Sequence, residues 1–292
     1  MMHKQTTAEK FFHGLIVAIL ILTASAMIIP FIHILAVSMS GAREVARREI
    51  FLWPKGFQLN TYKHVFASPQ MTRAMLNTIY ITVVGTIISV VLTAMLGYAL
   101  SKKQIVVTSV ILQLVVFTML FKPGIIPTYL IVRSTQIIDT RWSLMLPVAI
   151  QPFNLIIMKS FFQNMPDELE ESAIIDGAGW FTIFIKIVVP LSMAGLATVV
   201  LFYAVQRWNT FYHAVIYLND MKKYPLQVVL RELVIQGTRL EESAMVEGSA
   251  TDFPEMNLKS AVIMFAIIPI LIVYPFLQRY FVKGVMIGGI KG

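Results

Sequence analysis

The sequence predicts an all-α membrane protein with six transmembrane helices, and two observations support this fold class. Of the 292 residues, 57% are hydrophobic and 14% are charged, whereas an average soluble domain has about 25% charged residues. Apolar runs of about 20 residues, the length that a helix needs to cross about 30 Å of hydrocarbon, recur along the chain. Because lipid offers no partner for backbone N–H and C=O groups, each such run is predicted to be helical.

Six stretches have the length and composition of a span. They cover residues 14–37, 79–100, 105–121, 144–162, 185–205 and 261–281. The first follows Lys4 and Lys10, as a signal peptide would, but its apolar run is longer than the usual secretory core of about 7 to 15 residues. We therefore expect a retained span. An even number of spans places both termini on one side of the membrane.

Two long segments join the spans, at about 38–78 and 206–260. The first mixes aromatic, proline and glycine residues around Trp53, which favours a folded cap on the membrane. In the second, Tyr224-Pro225 precedes four apolar residues at helical spacing, which predicts a short amphipathic helix. The four are Leu226, Val229, Leu230 and Leu233. We divide the chain into an N-terminal part, 1–72, and a transmembrane domain, 73–292.

Charge and residue usage disfavour other classes of protein. The net charge is +8, but the basic residues lie between apolar runs, so nucleic-acid binding is not indicated. The chain has no cysteine, which leaves no disulfide, thiolate metal site or cysteine nucleophile. Five histidines are scattered without metal-ligand spacing, so a membrane enzyme is a poor alternative. In the spans, His33 and Gln113 are expected to make structural hydrogen bonds.

One acidic stretch, 164–190, interrupts the apolar pattern. Pro166 suits the first turn of a helix, and the four carboxylates within 167–171 lie near the positive end of its dipole. Gly177 allows the chain to turn before a second helix begins near Trp180. Leu169, Ala173 and Gly177 fall on one narrow face that another protein could grip. The alternative is a loop whose carboxylates are simply solvated.

The spacing within this stretch resembles a known family. Glu171-Ser172-Ala173, then Gly177, Ile187 and Pro190 resemble the coupling-loop signature of ABC-importer permeases, in which Ser172 is usually alanine. Further segments are similar to carbohydrate-importer permeases, and two of them to the subgroup for larger saccharides, which includes a membrane subunit of bacterial alginate import. These segments are Leu76-Asn77, Trp208-Asn209, Phe51-Leu52-Trp53-Pro54 and the closing residues 283–292.

The resemblance implies the architecture of a type I ABC importer permease in the inner membrane, with both termini and an amphipathic coupling helix in the cytoplasm. Charge alone leaves this orientation open. The chain lacks a phosphate-binding Gly-x-x-x-x-Gly-Lys-Ser/Thr loop, so we expect no enzymatic activity and no cofactor here, with ATP and Mg on a partner ATPase dimer. The other implied partners are a second, non-identical permease, an extracytoplasmic solute-binding protein and membrane lipid. The expected ATPase-coupling residues are Glu168, Glu171, Ala173, Asp176, Gly177 and Pro190.

Polar residues at membrane depth are candidates for the solute path. Gln151 and Asn154 lie in the irregular fourth span, where packing hydrogen bonds are an equal alternative. A second group follows the fifth span and combines aromatic, amide and guanidinium groups that suit a sugar and a carboxylate. Its members are Arg207, Trp208, Asn209 and Tyr212. The alternative for this group is anchoring at the membrane interface.

The predicted function is import of oligosaccharides or polysaccharides by alternating access. The segments assigned to the outside hold 15 basic and 10 acidic residues, a surplus that would attract an acidic saccharide such as alginate or another uronate. The principal alternative is an ion-coupled secondary transporter. Such a protein normally carries acidic residues within its spans, and the six predicted spans contain none.

Overall fold

The computed structural model describes residues 7–102, 107–233, 235 and 255–289, and all regular secondary structure in these ranges is helical. The helices are α1 Thr7–Ser38, α2 Ala42–Ala46, α3 Asn60–Ala67, α4 Pro69–Ser101, α5 Thr108–Leu120, α6 Ile125–Ser134, α7 Pro152–Gln163, α8 Asp167–Ile175, α9 Trp180–Ile183, α10 Val189–Leu191, α11 Met193–Trp208, α12 Tyr212–Tyr217, α13 226–233 and α14 Glu255–Gly289. Short 3-10 helices cover Arg141–Leu144 and Met221–Lys223, and a π-helical turn, Phe184–Val188, joins α9 to α10.

Three helices within the described ranges are long and apolar enough to cross a membrane: Glu9–Ser38, Pro69–Ser101 and Met256–Phe276. A fourth crossing results if Trp180–Leu191 and Met193–Trp208, which meet at an angle of 82°, form one broken span. The prediction of an all-helical chain is thus confirmed for these residues, whereas the count of six spans is not. The first, second and sixth predicted spans lie within α1, α4 and α14.

The other predicted spans are interrupted. In the fourth, 144–162, an α-helix begins only at Pro152, because Pro147 and Pro152 lack N–H donors and restrict the residues before them. The fifth, 185–205, is bent at Ser192, two residues after Pro190. The third, 105–121, begins outside the described residues, and its visible part, α5, spans 13 residues, or about 20 Å.

The described residues divide into two compact units. The first draws on Met1–Pro69 and Leu230–Ile268. There, Ala36 and Val37 at the end of α1 are buried with Val45 and Ile50, so the predicted cap is folded. His33 Nδ1 lies 2.7 Å from the carbonyl oxygen of Phe51, which is the structural hydrogen bond expected of this histidine.

The second unit draws on Gln70–Val229 and Pro269–Gly292, and α4 runs through both of its hydrophobic clusters. One cluster joins α4 to α7, α8, α9 and α11 through residues that include Tyr98, Phe162 and Tyr203. The other joins α4 to α6, α12 and α13. The packing is close: a β-carbon on Gly195 of α11 would lie 2.6 Å from the ring of Phe161 in α7.

Candidate functional site

Helix α8 begins and ends as the sequence predicted. Pro166 precedes it, and three acidic residues occupy its first turn, where the helix dipole favours negative charge. At its end, Gly177 has φ +82°. The N–H of Gly177 donates to the carbonyl of Ile174 and that of Ala178 to the carbonyl of Ala173, both at 2.9 Å. This pair of bonds is a Schellman motif, so Gly177 sets the turn out of α8.

The two faces of α8 differ in exposure. Glu170 and Ala173 are buried, while Glu168 and Glu171 are exposed. Ala173 packs within the hydrophobic cluster of α4, α7 and α11, so the expectation of one accessible face through Leu169, Ala173 and Gly177 is wrong. Ala173 is buried because α8 packs on other helices, and the helical spacing of these residues does not reveal that packing. The remaining predicted coupling residues, Asp176, Gly177 and Pro190, are exposed.

Apolar side chains are exposed beside the carboxylates of α8. Ile175 is 86% exposed, and Trp180 and Phe181 are exposed as well. Together with Glu168 and Glu171 we call them the α8 surface. Exposed apolar groups rimmed by charge typically mark contact with another protein or with lipid.

Sequence reasoning missed the role of Glu170. It is 7% exposed, forms an ion pair with Lys102 just after α4, and accepts a hydrogen bond of 3.3 Å from the hydroxyl of Tyr98. The Lys102 ammonium also lies 4.5 Å from the ring centre of Tyr98 and 6.0 Å from that of Trp180. One sequence signal could have indicated the burial of Glu170: it lies three residues before Ala173, which places both side chains on one helix face.

Arg207 is a second buried charge, 1% exposed, at the end of α11. Its Nη1 donates to the carbonyl of Leu144. Its Nη2 lies 2.9 Å from the carbonyl oxygen of Met145, 3.1 Å from that of Val148 and 2.9 Å from Ser89 Oγ in α4. The guanidinium thus satisfies carbonyl groups of the interrupted fourth span, which have no helical partner in an apolar environment.

This arrangement changes the interpretation of Arg207. The sequence suggested a guanidinium fork facing a solute carboxylate, but the two terminal nitrogens are occupied by the chain's own backbone and Ser89. Arg207 lies against Gly85 and Ser89 of α4. These two residues come 8 and 12 positions after Asn77, or about 12 to 18 Å along the helix. Arg207 therefore holds the interrupted span against α4 near the middle of its length.

Gln151 and Asn154 lie at the same junction. The backbone N–H of Gln151 donates to the hydroxyl of Tyr203 at 2.9 Å, and that hydroxyl is 2.7 Å from Thr93 Oγ1 in α4. Tyr203 is fully buried, Asn154 is buried and Gln151 is half-buried. These contacts join α4 and α11 to the start of α7.

A cavity of about 210 Å³ lies beside Arg207. Its lining residues are Val148, Gln206, Arg207, Asn209, Thr210, Phe211, Tyr212 and His213. Arg207, Asn209 and Tyr212 are thus brought together as predicted, whereas Trp208 is buried and does not line it. Tyr212 is 70% exposed, and the Asn209 amide N–H donates to the carbonyl of Val205 at 2.9 Å.

Gln206 and His213 are cavity residues that sequence reasoning missed. The His213 ring stacks on Tyr217, with ring centres 5.7 Å apart. Burial, followed by the positive charge of Arg207, lowers the pKa of His213. The ring is therefore held toward its neutral form, in which one nitrogen donates a hydrogen bond and the other accepts one.

Opposite ends of α4 carry different contacts. At the end near Asn77, that side chain donates to the carbonyls of Lys222 and Tyr224 at 2.9 and 3.1 Å and accepts from Arg141 Nε at 3.0 Å. The neighbouring Thr78 hydroxyl accepts from the N–H of Leu226 at 2.8 Å. We call this region the Asn77 end of α4. The opposite region, where Tyr98 and Lys102 meet α8, is called the α8 end. Twenty-one residues separate Asn77 from Tyr98 in α4, or about 32 Å.

The Asn77 end continues into a loop contact. Asp139 Oδ1 accepts from the N–H groups of Asn219 and Asp220, each at 3.0 Å, and its Oδ2 lies 2.6 Å from Lys223 Nζ. The hydrogen bond from Lys223 is the largest of the effects that lower the pKa of Asp139 to about 2. The carboxylate is therefore ionised at neutral pH and joins two loops.

Comparison with known proteins identifies the family. Residues 103–287 match the binding-protein-dependent transport system inner membrane component. The chain is 44% identical to the polygalacturonan/rhamnogalacturonan transport system permease protein YtcP of Bacillus subtilis (strain 168), over 97% of this chain and 99% of the relative. It is 48% identical to protein LplC of the same organism, over 91% of this chain and 90% of the relative.

A solved structure shows the same fold. It is the crystal structure of a bacterial ABC transporter involved in the import of the acidic polysaccharide alginate, with a TM-score of 0.87 and 30% identity over 95% of this chain and 99% of that chain. The predicted resemblance is thereby confirmed, and the type I permease fold with it. The chain belongs to the family of binding-protein-dependent transport system inner membrane components, as a permease subunit of an ABC sugar importer.

Proposed function

We propose that this permease works in an ATP-driven importer of acidic oligosaccharides or polysaccharides, by alternating access. The observation that carries the proposal is the α8 surface, where carboxylates and apolar side chains of α8 and of the start of α9 are exposed while the other face of α8 is packed on α4. A surface of this kind suits a protein partner that moves α8 and, through it, the helices of the unit.

The partner at the α8 surface is an ATPase dimer that holds ATP and Mg, so that energy is captured outside this chain. Glu168, Glu171, Asp176, Gly177 and Pro190 are the exposed residues of the proposed contact. A second, non-identical permease completes the pore, and an extracytoplasmic solute-binding protein delivers the saccharide. In this arrangement α8 and both termini face the cytoplasm.

The cavity beside Arg207 is the proposed solute contact in this subunit. It presents the phenol ring of Tyr212 and polar groups of Gln206, Asn209 and His213, a combination that suits the apolar faces and hydroxyl groups of a sugar. Arg207 positions the lining, because its terminal nitrogens are engaged by the backbone.

An acidic solute is favoured by charge. At the Asn77 end, Asp139 and Asp220 both pair with Lys223, while Arg133, Arg141 and Lys222 are exposed. A positive surface attracts a polyanion and raises its local concentration. The solved transporter named above imports the acidic polysaccharide alginate, and the relative YtcP is a polygalacturonan/rhamnogalacturonan permease. Both similarities support an acidic saccharide here.

The test of partner binding uses the tagged chain, purified from its native membranes with the associated ATP-hydrolysing activity. Glu171→Ala and Gly177→Pro are expected to lower the co-purified activity about tenfold or more, since the first removes a carboxylate of the α8 surface and the second disrupts the turn that follows α8. Asp167→Asn, an exposed acidic residue on the same helix, serves as the matched control. Transport by the chain alone, driven by an ion gradient, would instead establish a secondary transporter.

The test of substrate class uses the assembled complex in liposomes. We expect uptake of oligogalacturonate or oligoalginate to exceed that of neutral oligosaccharides of equal length, and the preference to weaken as salt screens the surface charge. Uptake of neutral oligosaccharides alone would remove the acidic-substrate proposal and leave the permease assignment intact.

A further inference from the structure

The polar contact between α8 and the end of α4 depends on one carboxylate, that of Glu170. Glu170 accepts from Lys102 and Tyr98, and these are the polar side-chain bonds between α8 and the α4 end in the described part of the chain. Ala173, on the same face, contributes only apolar packing. Removal of the Glu170 carboxylate would therefore leave α8 held there by apolar contacts.

The surroundings make this joint directional. The Lys102 ammonium pairs with the Glu170 carboxylate and also lies over the rings of Tyr98 and Trp180. It also follows the last turn of α4, where free carbonyl groups and the helix dipole favour a positive charge. Apolar packing sets no single direction of contact, whereas a charged hydrogen bond weakens steeply as its donor and acceptor move out of line, so the pair specifies the position of one helix relative to the other.

Tyr98 extends the joint into the core. Its ring meets that of Phe184 at 5.2 Å and that of Phe162 at 5.9 Å between centres, so α7 and the π-helical turn touch the same side chain. Nearer the middle of α4, Ser89 accepts a hydrogen bond from Arg207. Arg207 in turn holds the interrupted fourth span beside the cavity. Contiguous contacts thus lead from α8 to the proposed solute site.

We propose that Glu170, through Lys102 and Tyr98, is a positioning residue that makes α8 and α4 move as one body, so that displacement of the α8 surface reaches the cavity. This inference rests on the proposed function, and it assigns force transmission to the buried Glu170 and ATPase contact to the exposed Glu171. Glu170 faces the interior of its own chain, so its loss acts on coupling and not on assembly.

The experiment measures uptake and ATP hydrolysis of the purified complex in liposomes, together with the amount of co-purified ATPase. For Glu170→Gln and Lys102→Gln we expect ATPase binding to be retained and the uptake per ATP hydrolysed to fall about fivefold or more. The double variant should be no worse than either single variant, because both remove one interaction. Asp167→Asn is the control with an unchanged ratio.

Four outcomes would overturn the inference. An unchanged ratio in both single variants would show that the ion pair carries no coupling, and additive losses would show that the two residues act separately. Loss of ATPase binding in Glu170→Gln, with normal binding in Asp167→Asn, would make Glu170 a direct contact and would still support the proposed function. If the unaltered chain brings down no ATPase, both proposals fall.

A second measurement replaces the ion pair by a covalent link. The natural chain has no cysteine, so Lys102→Cys with Glu170→Cys creates a unique thiol pair in it, which a short thiol-reactive cross-linker with two methanethiosulfonate groups can join through reducible disulfide bonds. Before cross-linking, this variant lacks the ion pair and should show the lowered ratio of uptake to ATP hydrolysis. If α8 and α4 move as one body, cross-linking should raise that ratio again. Uptake that stops on cross-linking and returns on reduction would show that the helices must slide, and would overturn the inference.

Discussion

The two ends of α4 are built differently. At the Asn77 end, the Asn77 side chain donates to two carbonyl groups of the 222–226 segment and the Thr78 hydroxyl accepts from its last N–H, so this segment is fixed directly onto the helix. At the α8 end, one carboxylate joins the neighbouring helix, and Ile175, Trp180 and Phe181 remain exposed. A fixed end and a surface that is free for a partner are what a helix needs if a force applied at one end is to move a site along its length.

Between the two ends, Arg207 joins the interrupted fourth span to α4. Arg207→Met removes the donors to Leu144, Met145, Val148 and Ser89 and leaves buried carbonyl groups unpaired. We expect a loss of about 3 kcal/mol or more in the free energy of unfolding, seen as a lower midpoint in thermal unfolding of the detergent-purified protein. Arg133→Met, at an exposed arginine, is the control, and equal midpoints for the two variants would contradict the account.

The Asn77 end is expected to respond next most strongly. Asn77→Leu removes three hydrogen bonds, so we expect a loss of about 2 to 3 kcal/mol, measured by the same thermal unfolding. Leu76→Ala, at the exposed neighbour in sequence, should change little. A stable Asn77→Leu variant would show that this end is not fixed by its hydrogen bonds.

Substitutions of Gly177, in the turn after α8, test the effect of backbone conformation alone. A β-carbon on Gly177 would touch nothing within 4 Å, but its φ is +82°. Gly177→Ala should therefore cost about 1 kcal/mol through backbone strain and weaken ATPase co-purification, and Gly177→Asn should restore much of it. Gly179→Ala is the matched control, since Gly179 is equally open and has φ −76°. Equal effects at 177 and 179 would remove the role of the turn.

The smallest expected effect concerns pH. Because the pKa of Asp139 is lowered to about 2 in the folded protein, its stabilising contribution is present above the unfolded value near 4 and is lost as the pH falls toward 2. With solvent screening we expect about 1 kcal/mol. Thermal unfolding of Asp139→Asn should show a weaker pH dependence between pH 4.5 and 2.5 than that of the unaltered chain, and an identical dependence would contradict this.

The difference between the ends also separates what the sequence could predict from what it could not. Local signals, namely Pro166, the acidic first turn and Gly177, correctly predicted where α8 begins and ends. The first, second and sixth predicted spans are helical for the same reason, since their apolar runs are long and uninterrupted. These features depend on neighbours within a few residues.

Features that depend on distant contacts were not predictable. The burial of Ala173 and Glu170 depends on the packing of α4 and α7 against α8, and the position of Arg207 depends on an interrupted span that begins 63 residues earlier at Leu144. Ala173 was assigned to the partner ATPase and Arg207 to the solute because burial within the chain leaves no mark on local spacing. Proline in the fourth span signalled irregularity, but not what would satisfy its carbonyl groups.

The most direct test of the central claim is site-specific photo-cross-linking in the intact complex. A photoreactive residue replaces Ile175 at the α8 surface or Lys222 at the Asn77 end. If α8 faces the ATPase, cross-links to the ATPase form from position 175 and none form from position 222. Cross-links to the ATPase from position 222, or their absence from position 175 in an active complex, would contradict that claim.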